Sequence, residues 1–241
     1  MRFLYVAPRY HTNQVPIIRG LKRKGHEVCF LSQYAGKVED YSDLTPTVIG
    51  YSRIFLFFDR IYVALMKNRD AYAGDRKMKC GFPPIGKLKR AIRDSHGDVA
   101  ILRERSVYSI CAYLLCKKYK IPAILYNQSP LWEDYIKNDP AHRLMRLLTP
   151  TVRMTPVMGV QDGRKVEPGA AFVPFVMEPE QKAEEKRWIK DGITHIFSIG
   201  KYEERKNHRM LVEIVEELSA VSKIHLTIAG ERTTSAHQAY Y

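Results

Sequence analysis

The feature that most constrains this chain is a recurring one: short apolar runs closed by proline or glycine, alternating with stretches of helical period. Arg2–Ala7 (RFLYVA) is the first run, and Pro8 ends it. Phe, Tyr and Val in a stretch this short suit a buried strand. A polar loop, Arg9 to Asn13, follows. Val15, Ile17, Ile18 and Leu21 then recur at near-helical spacing up to Lys24-Gly25, where glycine supplies a helix stop. Glu27–Ser32 (EVCFLS) is the next apolar run. This strand–helix–strand succession is the unit of a parallel, doubly wound sheet.

The pattern continues along the chain. Thr47 to Tyr51 reads as a third strand. Ile54, Phe55, Phe58, Ile61, Tyr62 and Leu65 follow a helical period, read as a core face, with a role at a membrane interface as the alternative. Asp70 to Pro84 holds two glycines and two prolines and reads as a loop, and Lys87 to Arg93 as a basic helix. Asp98 to Arg103 is a strand. Ser106 to Tyr119 is a helix with Val107, Ile110, Leu114 and Leu115 inward, and Ile121 to Tyr126 is another strand. Glu133 to Leu148 reads as helical, Arg153 to Val160 and Ala171 to Met177 as extended, and Gln161 to Gly169 as a polar turn. Glu178-Pro179-Glu180 marks a crossing to a new region, opened by a charged helix from Glu180 to Lys190. Thr194 to Ile199, Asn207 to Ala220 and Lys223 to Ala229 form a fresh strand–helix–strand unit, each strand followed by glycine. The expected organisation is an α/β N-terminal domain over 1–178 and the start of a second over 179–241. A nucleotide-binding half takes about five or six strands, so the second reads as incomplete.

Composition narrows the functional classes. Hydrophobic residues make up 45% and charged residues 27% of the 241, the balance of a globular protein. No apolar run reaches the roughly 18 residues that span a bilayer, and MRFLYVAPRY lacks the layout of a signal peptide. The cysteines Cys29, Cys80, Cys111 and Cys116 contain no C-x-x-C pair and read as reduced, buried thiols of a cytosolic protein. The formal charge of +13 suits phosphate, anionic lipid or nucleic acid. From Arg60 to Arg93 there are ten Lys/Arg against only Asp70 and Asp75, a patch suited to phosphate or an anionic membrane surface, with a solvated face as the alternative. No nucleic-acid recognition motif is present, so nucleic acid is not an expected partner.

Ligands of open parallel sheets bind at the carboxyl ends of the strands. That rule points to His11 and Asn13 after the first strand, to Glu104 after the fourth, and to Asn127 and Gln128 after the fifth. His11 is a candidate ligand contact; Asn13 or Thr12 as a helix cap is the structural alternative. Glu104 is either a ligand-side polar group or the partner of Arg103 or Arg105. His26 reads as a structural histidine at a turn. The segment I-G-K-Y-E-E-R-K-N, Ile199 to Asn207, gathers Lys201, Arg205 and Lys206 beside Gly200, where glycine permits a sharp turn. Such cations stabilise the charge on a departing diphosphate; a solvated loop balanced by Glu203 and Glu204 is the bland reading.

The segment F-S-I-G-K-Y-E-E-R-K-N-H-R-M-L-V-E-I resembles the opening of the second domain of glycosyltransferase family four, the retaining GT-B group. L-T-I-A-G after it, R-F-L-Y-V-A-P at the N-terminus and L-K-R-K-G-H-E-V before the second strand are similar to the same family. The resemblance implies two Rossmann-type parallel-sheet domains, the second incomplete here. It places the family's two basic diphosphate contacts on Lys201 and Lys206, with Gly200 and Arg205 beside them. The loop after the first strand lacks the usual glycines, and Asn127-Gln128 stands where many members carry histidine. The paired glutamates that grip donor sugar and ribose in the family lie beyond Tyr241.

The implied activity is retaining transfer of a sugar from a nucleotide diphosphate sugar to a glycan or lipid-linked glycan, in cell-surface polysaccharide or glycolipid synthesis. No cofactor or metal is expected, because lysines serve the diphosphate and no D-x-D occurs. The expected location is cytoplasmic, peripheral on the inner face of a membrane. The 241-residue chain alone is expected to turn over little. The alternatives are a non-catalytic fragment and a basic membrane- or nucleotide-binding module of Rossmann type. A nucleotide-dependent oxidoreductase is disfavoured by the absence of G-x-G-x-x-G after the first strand.

Overall fold

A computed structural model describes residues 1–36, 40–66, 73–104, 106–128, 140–158, 163, 165–176, 188–200, 202 and 204–230. The chain forms two compact units, Met1–Glu178 and Pro179–Tyr241. In the first unit, strands β1 (Arg2–Ala7), β2 (Glu27–Ser32), β3 (Thr47–Val48), β4 (Val99–Arg103), β5 (Ala123–Tyr126), β6 (Arg153–Thr155) and β7 (Ala170–Phe172) build one parallel sheet. Its order is β3-β2-β1-β4-β5-β6-β7. The chain runs outward from β1 to β3, then returns to the other side of β1 with β4. That reversal is a topological switch point, where the loops after β1 and β4 diverge and leave a crevice.

The helices of this unit are α1 (Val15–Arg23), α2 (Arg53–Leu65), α3 (Ala73–Cys80), α4 (Ile85–Asp94), α5 (Val107–Lys118) and α6 (Pro140–Leu148). Alternation along β1 divides the core. Leu4 and Val6 face one side with Leu102, Leu125, Leu88 and Ile92 of α4, and Tyr108 and Ala112 of α5. Tyr5 and Ala7 face the other with Ile18 of α1, Phe30 and Tyr10. Both faces of a parallel sheet are thereby covered, as its apolar strands require. Gly25 holds a left-handed φ of 75° and ends the turn after α1.

The structure departs from the sequence reading in several places. Ala73–Cys80 is a helix where a loop was expected. In α5 the buried residues are Tyr108, Ser109, Ala112, Tyr113 and Cys116, whereas Leu114 is exposed. Leu115 packs partly buried against the core as expected, while Tyr108, Tyr113 and small residues fill the space that Leu114 was expected to take. The four thiols are free, but Cys80 is exposed; burial pushes Cys116 up to about 12 and raises Cys29 and Cys111. His26 is half-buried against Phe3, their ring centroids 5.5 Å apart.

In the second unit, β8 (Ile189–Lys190) and β9 (Ile193–Ile199) form an antiparallel hairpin. Asp191 and Gly192 turn it with φ of 54° and 74°. Two positive φ angles in succession are the requirement of the tightest hairpin turn. The charged helix expected up to Lys190 thus gives way to a strand at Ile189; residues 180–187 lie outside the described residues. Helix α7 (His208–Ser219) follows, and β10 (Ile224–Ala229) pairs with β9 in parallel.

Candidate functional site

A cavity of about 590 Å³ opens at the switch point of the first sheet. Ala7, Pro8 and Arg9 reach it from the end of β1, Arg103 from β4, and Tyr126 and Gln128 from β5. His11, Asn13 and Gln14 come from the turn before α1, Tyr34 from the loop after β2, and Tyr51, Lys77 and Met78 from the α2–α3 side.

Local chemistry positions these groups. Thr12–Gln14 is one turn of 3-10 helix leading into α1. His11, not Thr12 or Asn13, caps it: its Nδ1 accepts from the Asn13 amide at 3.2 Å, and its own amide donates to Gln14 Oε1 at 2.8 Å. An Nδ1 that accepts carries no proton, so the neutral ring keeps its hydrogen on Nε2. The guanidinium of Arg103 donates to Gln128 Oε1 at 3.1 Å and lies 5.0 Å from the centre of the Tyr126 ring. Tyr51 donates to Gln33 Oε1 at 2.9 Å. Burial pushes its phenol up to about 12, so it stays protonated at neutral pH and serves as a donor.

Of the acceptor-side candidates, the structure brings His11, Asn13 and Gln128 into this cavity; Glu104 and Asn127 are not among its lining. The described ion-pair partner of Glu104 is Arg153; Arg105 lies outside the described residues. The Glu104 carboxylate accepts from Arg153 Nε at 2.8 Å and from Asn127 Nδ2 at 2.6 Å. Arg153 also donates to the carbonyls of Thr151 and Thr149 and faces Glu167, which pairs with Arg146. Glu104, Arg153 and Glu167 are all at least nine-tenths buried, so this network ties β4, β5 and β6 together under the site. Sequence reasoning missed Arg9, Tyr34, Arg103 and Tyr126, though all lie at or just after strand ends, where the same rule would have found them. It missed Lys77 and Met78 because they sit on a helix that glycines and prolines disguised.

The second candidate segment lies in the other unit. Lys201 falls outside the described residues, and so does the Arg205 side chain. Lys206 is described: its Cδ and Cε lie 3.6 Å from where a Cβ on Gly200 would stand. Its stem therefore crosses the end of β9, just before α7 begins. Gly200 itself is not left-handed, and a Cβ there would meet only ordinary contacts. The glycine requirement falls on Gly230, whose added Cβ would stand 2.1 Å from the Gly200 carbonyl oxygen. The two strand ends touch at that point, and the Gly200 amide donates to the Ala229 carbonyl at 2.9 Å. Buried His208 at the head of α7 packs edge-on against Tyr202, 5.7 Å between ring centres.

No family profile and no curated protein sequence matches the chain. Solved structures do. The glycotransferase of kitacinnamycin aligns with a TM-score of 0.53 at 16% identity, over 98% of this chain and 66% of that one. OtsA in its apo form aligns with a TM-score of 0.55 at 14% identity, over 100% and 67%. The structure described as trehalose-6-phosphate from E. coli bound with UDP-2-fluoro glucose gives 0.56 at 13%, also over 100% and 67%. The fold is GT-B-like. The chain spans about two-thirds of the length of each of these structures. Within this GT-B-like frame, both candidate segments lie at carboxyl ends of parallel strands, the place where such sheets take ligands.

Proposed function

We propose that this chain transfers a sugar from a nucleoside diphosphate sugar to a glycan or lipid-linked glycan acceptor, with retention, in polysaccharide or glycolipid synthesis. The observation that carries the reading is Lys206 laid over Gly200, between the end of β9 and the start of α7. A strand end, a helix start and a lysine whose stem lies between them together suit a diphosphate. Lys201 and Arg205 are the further diphosphate contacts in this reading. Similarity to a structure bound with UDP-2-fluoro glucose, and to the S. aureus MnaA–UDP structure (TM-score 0.51, 10% identity, 99% of this chain and 64% of that one), supports a uridine nucleotide. The switch-point cavity is the acceptor side. As the donor's bond to diphosphate breaks, negative charge grows on the leaving oxygen, and the lysines gain more with that state than with the bound donor. The amines do this without a cofactor or metal.

The same reading places the chain at the cytoplasmic face of a membrane through the basic run Arg60–Arg93. Helix α2 supports it. Ile54, Phe57, Phe58 and Leu65 are 73%, 60%, 63% and 75% exposed, and no residue of the helix is buried. A stripe of such residues between cations suits the lipid interface. No described helix is long and apolar enough to cross a membrane.

The test is calorimetric titration with UDP, GDP and their sugars, followed by transfer assays with lipid-linked acceptors and NMR of the anomeric product. Lys206→Ala should weaken diphosphate binding, and in a version that carries the whole donor half it should lower turnover about a hundredfold. Failure to bind any nucleotide diphosphate removes the donor site, and an inverted product removes retention.

A further inference from the structure

We propose that His195 and His225 form a site for a tetrahedral divalent metal ion, zinc by ligand type and geometry, on the sheet of the second unit. The two histidines are direct partners in the parallel pairing of β9 with β10. Adjacent strands lie about 4.8 Å apart, and side chains paired in register stand on the same face. The strand register alone therefore sets the two imidazoles side by side. Their ring centroids are 5.4 Å apart, and the rings are tilted by 41°. Both residues are exposed, so an ion reaches them from solvent.

The spacing selects the kind of ion. Zinc takes a histidine nitrogen at about 2.0–2.1 Å, and the ring centre lies about 1.1 Å behind that nitrogen. The ion thus sits about 3.2 Å from each ring centre, and a tetrahedral angle holds two such centres about 5.2 Å apart. A square-planar ion would draw them in to about 4.5 Å. The 5.4 Å separation matches the tetrahedral case. Both histidines line a recess of about 580 Å³ with Ser219, Ala220, Val221 and Ser222. These residues close α7, and the carbonyls at a helix end carry partial negative charge that favours a cation. Lys223 shares the recess and is the like charge that opposes the ion. Solvent supplies the remaining ligands. His195 precedes Gly200 by five residues, about 16 Å along a strand, so the ion lies at the other end of β9 from the diphosphate segment. Its role is to tie β9 to β10, and it does not depend on the glycosyl-transfer reading.

Zinc chloride titrated by calorimetry into the full chain, free of any histidine tag, tests this. Zinc is expected to bind, and saturating zinc should raise the urea midpoint, because an ion that binds only the folded state stabilises it. His195→Asn and His225→Asn should each weaken zinc by at least about tenfold, the least that loss of even an outer partner of a metal ligand costs. Their zinc-free urea midpoints should match the parent. His225→Cys should keep zinc, since a thiolate replaces imidazole as a ligand, and this separates a lost ligand from a lost fold. Lys223→Gln removes the opposing charge and should tighten binding, whereas His96→Asn in the first unit should bind as the parent does. Parent-like zinc affinity in the double variant His195→Asn/His225→Asn overturns the inference, as does the absence of binding by the parent at about 1 mM zinc. UDP affinity should be the same with and without zinc, so failure of the metal site leaves the donor site standing.

Discussion

Gly200 and Gly230 occupy equivalent ends of adjacent strands, yet their side-chain hydrogens face different surroundings. A methyl on Gly230 must displace the Gly200 carbonyl, since 2.1 Å is far inside contact distance. Gly230→Ala should therefore destabilise the second unit by about 1–3 kcal/mol, the usual cost of overpacking, while Gly200→Ala stays within about 0.5 kcal/mol. Denaturant midpoints of the two variants check this, and equal effects would mean the strand ends do not touch. Glu104 poses a different residue-scale question. Its placement after β4 matched the rule for site residues, but sequence could not reveal that Arg153, 49 positions away, takes the carboxylate. Glu104→Gln leaves buried Arg153 with only Glu167 at 3.9 Å, a carboxylate it shares with Arg146, and should cost about 1–3 kcal/mol. Acceptor and nucleotide affinity should be unchanged in the material that folds. A selective loss of affinity at unchanged stability would return Glu104 to the site.

Helix α2 shows what a periodic pattern can and cannot disclose. Its period was legible, and Ser52 caps it by accepting from the Phe55 amide at 3.2 Å. The partner of its apolar face was not, because amphipathicity is the same whether a core or a bilayer covers the stripe. The Asp191-Gly192 turn carried a legible signal that the charge run before it obscured. In α5 the sequence period placed Leu114 and Leu115 inward; packing kept Leu115 against the core but selected Tyr108, Ala112 and Cys116 as its fully buried members. For α2 the exposure supports a direct test. Phe57→Ser/Phe58→Ser should change stability by less than about 0.5 kcal/mol per site, as exposed substitutions do. It should also lower sedimentation with vesicles containing phosphatidylserine, and wild-type binding should weaken with salt because surface charges are screened over about 10 Å at 0.1 M. A large loss of stability would show that the stripe is covered within the protein. Unchanged sedimentation would remove the bilayer as its partner.

At the scale of the molecule, the parallel α/β class followed from strand–helix alternation, but the strand order did not. The sequence carries no mark that β4 returns to β1 and not to β3, and the cavity exists because of that return. The same packing builds a stability profile. Burial raises the phenols of Tyr5, Tyr10, Tyr51 and Tyr108, Tyr10 and Tyr51 to about 12. In the unfolded chain a tyrosine titrates near about pH 10. Between these values the unfolded state has released protons that the folded state still holds. The sign is therefore fixed: stability is fully present below about pH 10 and falls as pH rises toward and through the folded value, at roughly 1.4 kcal/mol per pH unit for each such phenol. Tyr10 isolates the effect best. It is fully buried, ringed by Phe30 and Tyr41, and its hydroxyl has no hydrogen-bond partner among the described residues. Tyr10→Phe removes the ionisable group and keeps the ring. Urea midpoints at pH 8 should match the parent or exceed it, and the decline between pH 10 and 12 should be shallower by the share of one tyrosine. An equal decline in both proteins would place the alkaline sensitivity elsewhere, and a loss at pH 8 would show that the Tyr10 hydroxyl holds a bond worth keeping.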